Sequence, residues 1–482
     1  MGLFERMQKA NIYRGYLQHV VKLNPVLERV SARGMPVNQE GFDSVVARLR
    51  GDYMAEKEKM QSLVPDEIKA KKVYKKTPKA RLEECTQVDG VWVRTLPWTP
   101  SNKGLCAYIR HRGLKVPKNL KTEKDTTAAI EIARLSRKTK DPLYGAVIQY
   151  RKAQTVLTNH VKNWKPGPDQ RVHTSFYFDP ATGQLSSRRP NVQNAPKHDD
   201  PEFGGYAKVF RSMIKAREGH TILEFDFKSF HAQTLAFESE DKDYLRLAKL
   251  DIHSFLASHL VHDPKAGGCL AWSDDELREY LAWIKKNHKF VRDYKAKRAI
   301  LGYGFGMGYR KLYDMNRESF DGQKDAKNTL DMLDSVFPVT KKWRETIRHK
   351  ANDQGYLISR HGYIRYFWEV FRERNDGWTP GDDSEAAVAF LPANDAFGEI
   401  KDRMLTIAER GLDERYGLIN NVHDSLLFEC PDPLVEEAVG TIKPLMESRS
   451  QVLISPKVAP LGLSVEVDVQ AGRDWASLRG VA

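Results

Sequence analysis

The chain has 482 residues, 41% apolar and 29% charged, with 77 lysines and arginines against 64 acids, a net charge of +13. This length supports two or three subdomains with sizeable cores, and the composition is that of an ordinary globular protein. No apolar run approaches the roughly 18 residues of a membrane span, the N-terminus lacks the apolar core of a signal peptide, and Cys85, Cys106, Cys269 and Cys430 are too scattered for a zinc site or a disulfide framework. These features point to a reducing, cytoplasmic setting without a membrane partner. The basic excess favours a polyanionic partner.

In chain order, residues 11–63 carry apolar side chains at helical spacing, interrupted by a turn at Arg33-Gly-Met-Pro36, after which Asn38 suits a helix N-cap. Residues 66–83 are a charge run, either a solvated loop or an arm whose lysines meet phosphates and release counterions. Residues 125–163 read as helical, followed by a short strand from Val172 to Phe178 and a turn at Asp179–Gly183. Strands are expected around 207–216 and 221–226, helices over 232–262, 274–301 and 325–354, a hairpin from Gly355 to Phe371, and a long helix at about 384–411. Gly302, Gly304, Gly306 and Gly308 either end a helix or form a hinge, since each costs a helix about 1 kcal/mol against alanine. No βαβ unit surrounds them, so they are not a dinucleotide-binding fingerprint.

Two stretches stand out. Thr221-Ile-Leu-Glu-Phe-Asp-Phe-Lys-Ser-Phe-His231 is an apolar, β-branched run that delivers one acid, Asp226, at the end of a buried strand. Leu418-Ile-Asn-Asn-Val-His-Asp-Ser-Leu-Leu-Phe-Glu-Cys430, nearly two hundred residues on, has the same character and centres on Asp424. Two acids on neighbouring strands suit hard divalent cations, which take oxygen ligands and leave room for substrate phosphates.

Two further stretches, Thr182-Gly-Gln-Leu-Ser-Ser-Arg-Arg-Pro-Asn-Val-Gln-Asn-Ala-Pro196 and Lys297-Arg-Ala-Ile-Leu-Gly-Tyr-Gly-Phe-Gly-Met307, join the two acid-bearing ones, and the four together resemble family A DNA polymerases, the DNA polymerase I type. The first resembles that family's TGRLSS…PNLQNIP. The run from Asp226 resembles DYSQIELRxLA, the run from Lys297 resembles KxxNFGxxYGM, and Val422-His-Asp-Ser-Leu-Leu-Phe-Glu429 resembles VHDELVFE. Asp251-Ile-His253 and Asp353-Gln-Gly-Tyr356 match DIH and DQGYV in the right order, and the likeness covers about residues 20–470.

The resemblance implies that Asp226, Asp424 and the carbonyl of Phe227 hold two Mg²⁺ ions roughly 3.5–4 Å apart, with Mn²⁺ able to substitute. It implies that Lys297, on a basic helix with Arg292, Lys295 and Arg298, meets the incoming phosphates and protonates pyrophosphate, and that His253 contacts the β-phosphate. Gln184, Arg188, Asn191, Gln193, Arg211, Asn394 and His423 fall at template–primer contacts. Asn and Gln there can test the minor-groove acceptors shared by every base pair. Lys103 and the basic run fall where the family's thumb grips the duplex.

Departures from the family pattern carry expectations of their own. His231 and Phe305 stand where the family has a hydrogen-bonded Glu and Tyr under the sugar; packed together, they should still block a 2′-hydroxyl, with a pH dependence near 6.5 from the imidazole. Leu301 replaces a Phe or Tyr that stacks on the nucleotide, which implies lower fidelity or slower insertion and discrimination against dideoxynucleotides. Asp293 replaces an Arg, leaving Arg292 to take over its phosphate contact. Gln184 and Ala386 replace arginines at the primer end and minor groove, Asn394 replaces a Gln, and Ser425 replaces the least necessary of three acids.

The implied fold class is α+β, a right-hand polymerase fold with an antiparallel palm sheet, helical thumb and helical fingers. Residues 1–165 would form N-terminal and thumb helices with a basic insert at about 66–100, 166–231 the first part of the palm, 232–355 the fingers and 356–482 the rest of the palm. The implied activity is template-directed, Mg²⁺-dependent extension of primer–template DNA with dNTPs by a monomer lacking a proofreading exonuclease domain. Compact size and the departures suggest a phage or other mobile element. The alternatives are a single-subunit RNA polymerase, or one tolerant of ribonucleotides, and a non-catalytic primer–template binding subunit.

Overall fold

In a computed structural model the protein is described over residues 3–9, 12–78, 81–119, 122–179, 182–195, 206–374 and 377–481. Pro196 of the first motif, residues 180–181 of the expected turn and residues 79–80 of the charge run lie outside these. The chain divides into two compact units, one of residues 1–36, 173–194 and 215–482, the other of 37–172 and 195–214. Among the described residues no helix is long and apolar enough to cross a membrane.

The first unit is built on a five-stranded antiparallel sheet in the order Leu418–Val422, Ser425–Pro431, His220–Phe227, Val467–Gly472, Arg479–Gly480. The period-2 alternation of strand side chains sorts it into two faces. Leu223, Phe225 and Phe227 stand opposite Phe428, Leu426, Val469 and Val467 and enter the core. Glu224 and Asp226 therefore take the other face, with Ser425 and Asp468 directly opposite Asp226.

The helix Ser384–Glu409 is buried along almost its whole length and packs against Phe230–Ser239, Pro338–Gln354 and Leu23–Arg33. A helix buried on nearly every side is a central strut, and it carries buried polar side chains as well as apolar ones. Gly306 reaches it in a left-handed turn (φ 66°) where a Cβ would meet Val388 at 2.9 Å.

Aspartate caps, a proline and a π-helical turn divide the helices that spacing alone ran together. The expected helix 232–262 is three, because Asp241 caps the Tyr244 N–H after a left-handed Glu240 (φ 55°), and Asp251 caps the Ser254 N–H. The 325–354 helix breaks at Pro338, and 274–301 resolves into Asp274–Asn287, a π-helical turn Val291–Ala296 and Lys297–Gly304. The latter helix ends within the glycine series. The hairpin after Gly355 pairs Tyr356–Ile358 with Ile364–Tyr366.

In the second unit Asn38 caps Gln39–Leu63 through the Gly41 N–H, 2.6 Å. That helix packs on Pro142–Thr155 around Leu105, Ile109, Leu143 and Tyr144. The expected helix 125–163 is interrupted by Asp141, which caps the Leu143 N–H and accepts from the Tyr108 hydroxyl at 2.8 Å. The structure departs from expectation at two places in this unit. The strand around 207–216 is the helix Tyr206–Ser212, because Phe210, Met213 and Ile214 are buried at helical rather than alternating spacing. The 66–83 run is no simple loop: Lys71–Tyr74 pairs with Val91–Thr95, which pairs with Thr86–Val88, making a small sheet that displays Lys71 and Lys72.

Candidate active site

Strand His220–Phe227 ends one residue after Asp226. Beside it, Val422 pairs with Ser425, so His423 and Asp424 form the two-residue turn of a hairpin, with His423 left-handed at φ 57°. Ser425 lies opposite Asp226, and the Phe227 N–H donates to the Asp424 carbonyl at 3.3 Å. The register thus brings Asp226 and Asp424 to one edge of the sheet. Two carboxylates and nearby main-chain carbonyls are a hard-oxygen donor set of the kind magnesium takes.

Asp424 lines a pocket of about 220 Å³ together with His231, His253, Lys297, Leu301 and Phe305. The basic helix that faces it is less open than its composition suggests. Arg292 donates twice to Asp251, at 3.0 and 3.1 Å, and to Asp293 at 2.6 Å; Lys295 is paired with Asp325 at 2.8 Å; Arg298 is paired with Glu318 and Ser319. Lys297 is exposed, and among the described residues no acid pairs with it. In this structure Arg292 orients the Asp251 cap of the helix that carries His253, and the expected phosphate contact would require it to leave two carboxylates.

Burial pushes the His253 imidazole down to about 4; Asp251 opposes this while Arg292 and Lys297 reinforce it, so the ring is neutral at pH 7. Burial likewise lowers His231, against the pull of Asp424. Its ring packs on Phe305 (centroids 6.0 Å apart) and edge-on to Phe397 (5.4 Å). Because the shift is downward, the imidazole changes charge below pH 6.5 and stays neutral above it. Leu301 is 52% exposed at the pocket rim.

The expected template–primer residues separate by burial. Gln184 Nε2 lies 2.6 Å from His423 Nδ1, joining the first motif to the turn that carries Asp424. Arg188 is exposed and stacks on Tyr177, 4.8 Å from the ring centre. Asn191 Oδ1 accepts from the Gln193 and Asn194 N–H groups, so it shapes its own turn. Gln193 is buried and donates to Asn421 at 3.3 Å; Asn394, fully buried, donates to the Thr182 carbonyl at 2.9 Å. Arg211, also buried, belongs to the other unit and donates to the Ala195 carbonyl.

Val465-Glu-Val-Asp-Val-Gln470 alternates strictly, and that period places Asp468 opposite Asp226, where Lys228 bridges Asp468 and Glu466 at 3.1 and 3.0 Å. A second polar cluster was not foreseen. His361, Glu399 and Asp402 present donor atoms within 4.8 Å of one another, away from the pocket. His361 Nδ1 meets Asp395 at 3.1 Å and Nε2 lies 3.3 Å from Glu399. Burial disfavours the imidazolium, but Asp395, Asp402 and Glu399 outweigh it and raise the ring to about 10, so a proton already satisfies these carboxylates. Arg14 on Asp402 and Arg403 on Glu399, both at 3.0 Å, supply further positive charge.

The chain is similar to known proteins in sequence and in fold. The family model described as DNA polymerase family A matches residues 99–267 and 283–477. The thermostable DNA polymerase I of Thermus filiformis is 25% identical over 368 residues, covering 74% of this chain and 38% of the relative; DNA polymerase I of Helicobacter pylori is 24% identical over 371 residues, covering 76% and 37%. The chain therefore spans less than two fifths of the length of these relatives. Among solved structures, the POL domain of Pol1 from M. smegmatis, in complex with DNA primer-template and dNTP, superposes with a TM-score of 0.68 at 20% identity, covering 95% of this chain and 70% of that one. The fold is accordingly the α+β, right-hand type of that domain, and the chain belongs to DNA polymerase family A.

Proposed function

We propose that the chain is a template-directed DNA polymerase that extends a primer 3′ end with deoxynucleotides and releases pyrophosphate. The observation that carries this reading is the convergence of Asp424, Lys297, His253 and His231 on one pocket beside Asp226. Family A polymerases use divalent metal ions. Asp226, Asp424 and the Phe227 carbonyl would hold two Mg²⁺ ions here, which activate the 3′-hydroxyl and neutralise the triphosphate.

The remaining work falls to side chains. Lys297 reaches the triphosphate as the unpaired cation of its helix and hands its proton to the leaving pyrophosphate. Neutral His253 donates an N–H to the β-phosphate. His231, backed by Phe305 and Phe397, fills the space under the sugar C2′ and excludes a 2′-hydroxyl. Gln184 and His423 receive the primer end, while Arg188 and the lysines of the 71–76 sheet edge meet backbone phosphates. We assign the 37–172 unit to the thumb and the sheet to the palm.

Primer extension with dNTPs, with rNTPs and with Asp424→Ala tests the reading. Extension with dNTPs alone, abolished by the substitution, is expected. Equal use of rNTPs would move the protein to the RNA polymerases. Tight primer–template binding without any extension would make it a binding subunit. In His231→Ala, ribonucleotide discrimination should fall; unchanged selectivity removes the steric role.

A further inference from the structure

Lys401 is buried to 1% exposure in the middle of the Ser384–Glu409 helix. Burial pushes its ammonium down to about 7, only partly opposed by Asp402. An aliphatic side chain would fill this space without desolvating an amine. What the amine alone supplies is a donor: Nζ donates to the Gly183 carbonyl at 2.6 Å and to the Tyr363 hydroxyl at 2.5 Å, and sits 4.1 Å from the centre of the Tyr363 ring.

The chain of contacts continues in both directions. Tyr363 lies 3.2 Å from His19 Nδ1, and His19 Nε2 lies 2.9 Å from Asp402. Donation from Tyr363 to Nδ1 and from Nε2–H to Asp402 assigns one consistent tautomer. Seven residues before Lys401, and so on the same face of the helix, Asn394 holds the preceding carbonyl, Thr182. Gly183 is left-handed (φ 71°), and a Cβ there would lie 2.2 Å from Asn394 Nδ2. The long helix thus grips two successive carbonyls of the turn whose next residue, Gln184, meets His423 at 2.6 Å.

We infer that Lys401 is a positioning residue of the polymerase site: by holding the Gly183 carbonyl it sets Gln184 against His423, and with them the place that receives the primer 3′ end beside Asp424. This rests on the polymerase reading above. Single-turnover insertion of one dNTP on a preformed primer–template complex tests it. Lys401→Met should slow insertion about tenfold, the scale of a small misplacement at a reacting centre, with primer–template affinity changed by less than about threefold. Gln184→Ala should slow it comparably. The double variant should be no slower than the slower single, because both changes break one path.

Double-variant losses equal to the product of the two single losses would make Lys401 a general stabiliser and overturn the inference. Wild-type insertion by Lys401→Met does the same. Should Lys401→Met not fold, Gln184→Ala alone decides: insertion at the wild-type rate removes the path. A wild-type protein that inserts no nucleotide brings down the polymerase reading and this inference together, whereas an active wild type with multiplicative losses overturns only the inference.

Discussion

The molecule holds two groups of acids that differ in what neutralises them. Asp395, Glu399 and Asp402 are surrounded by the cations His361, Arg14 and Arg403, all supplied by the chain, while His19, kept neutral by burial, adds a hydrogen bond to Asp402. Asp424, at the sheet edge, opens instead into a pocket that it shares with the exposed Lys297. An acid group that carries its own counter-cations holds a fold together. One that faces an open pocket has its charge available for ligands, because no internal cation competes for it.

Substitutions should therefore separate activity from stability. The largest effect is expected for Asp424→Ala: loss of primer extension by at least about a thousandfold, as for removal of a metal ligand, with thermal unfolding unchanged or raised because a carboxylate is no longer held at the pocket. A lowered melting temperature with retained extension would reverse the comparison. Asp402→Ala should do the opposite, destabilising by about 1–3 kcal/mol because buried His19 loses its acceptor and His361 one of its three carboxylates. Denaturant titration measures it, and insertion rates on the folded fraction should stay near wild type.

Next in size, Lys297→Met should lower the insertion rate about a hundredfold in single-turnover extension, the range of a general acid. A comparable loss in Arg298→Met, whose guanidinium is already paired with Glu318, would contradict the distinction drawn between the two neighbours.

The smallest effect is one of slope. His361 is raised from 6.5 to about 10, so its stabilisation is fully present below pH 6.5 and is lost as pH rises through 10. Lys401 is lowered from 10.5 to about 7; between these values the unfolded chain binds a proton that the folded chain does not, so stability rises with pH. The two slopes oppose each other between pH 7 and 9, below the range where the buried cysteines hold protons that the unfolded chain loses, and wild-type stability should be nearly flat there. Lys401→Met should uncover the His361 slope, a fall of up to about 1.4 kcal/mol per pH unit. A flat profile in the variant would show that His361 is not the opposing group.

Much of the site was legible without coordinates. The strand ending at Asp226, the hairpin around Asp424 and the Asn38 cap rest on neighbours in the chain, so alternation, turn chemistry and capping residues disclose them. The strand expected at 207–216 failed for the same reason in reverse: a short apolar run fits either period, and the packing of Phe210 on Trp164 decided for helix. Asp241 belongs to no motif and Asp251 stands out only through the DIH match, so spacing alone gives no sign that their caps divide one expected helix into three.

What the sequence by itself determined was which chemistry the chain carries: two acids, a basic helix and their order, each fixed by local propensity and motif. Only the tertiary structure decided which of those groups remain available. Ser425 had to meet Asp226 across the sheet before Asp424 stood beside it, and Arg292, Lys295 and Arg298 had to find distant acids before Lys297 was left exposed. The same holds for Asn394 and Gln193, turned inward to support the site. Pairing and burial depend on partners brought together by folding, and residue spacing along the chain does not encode them.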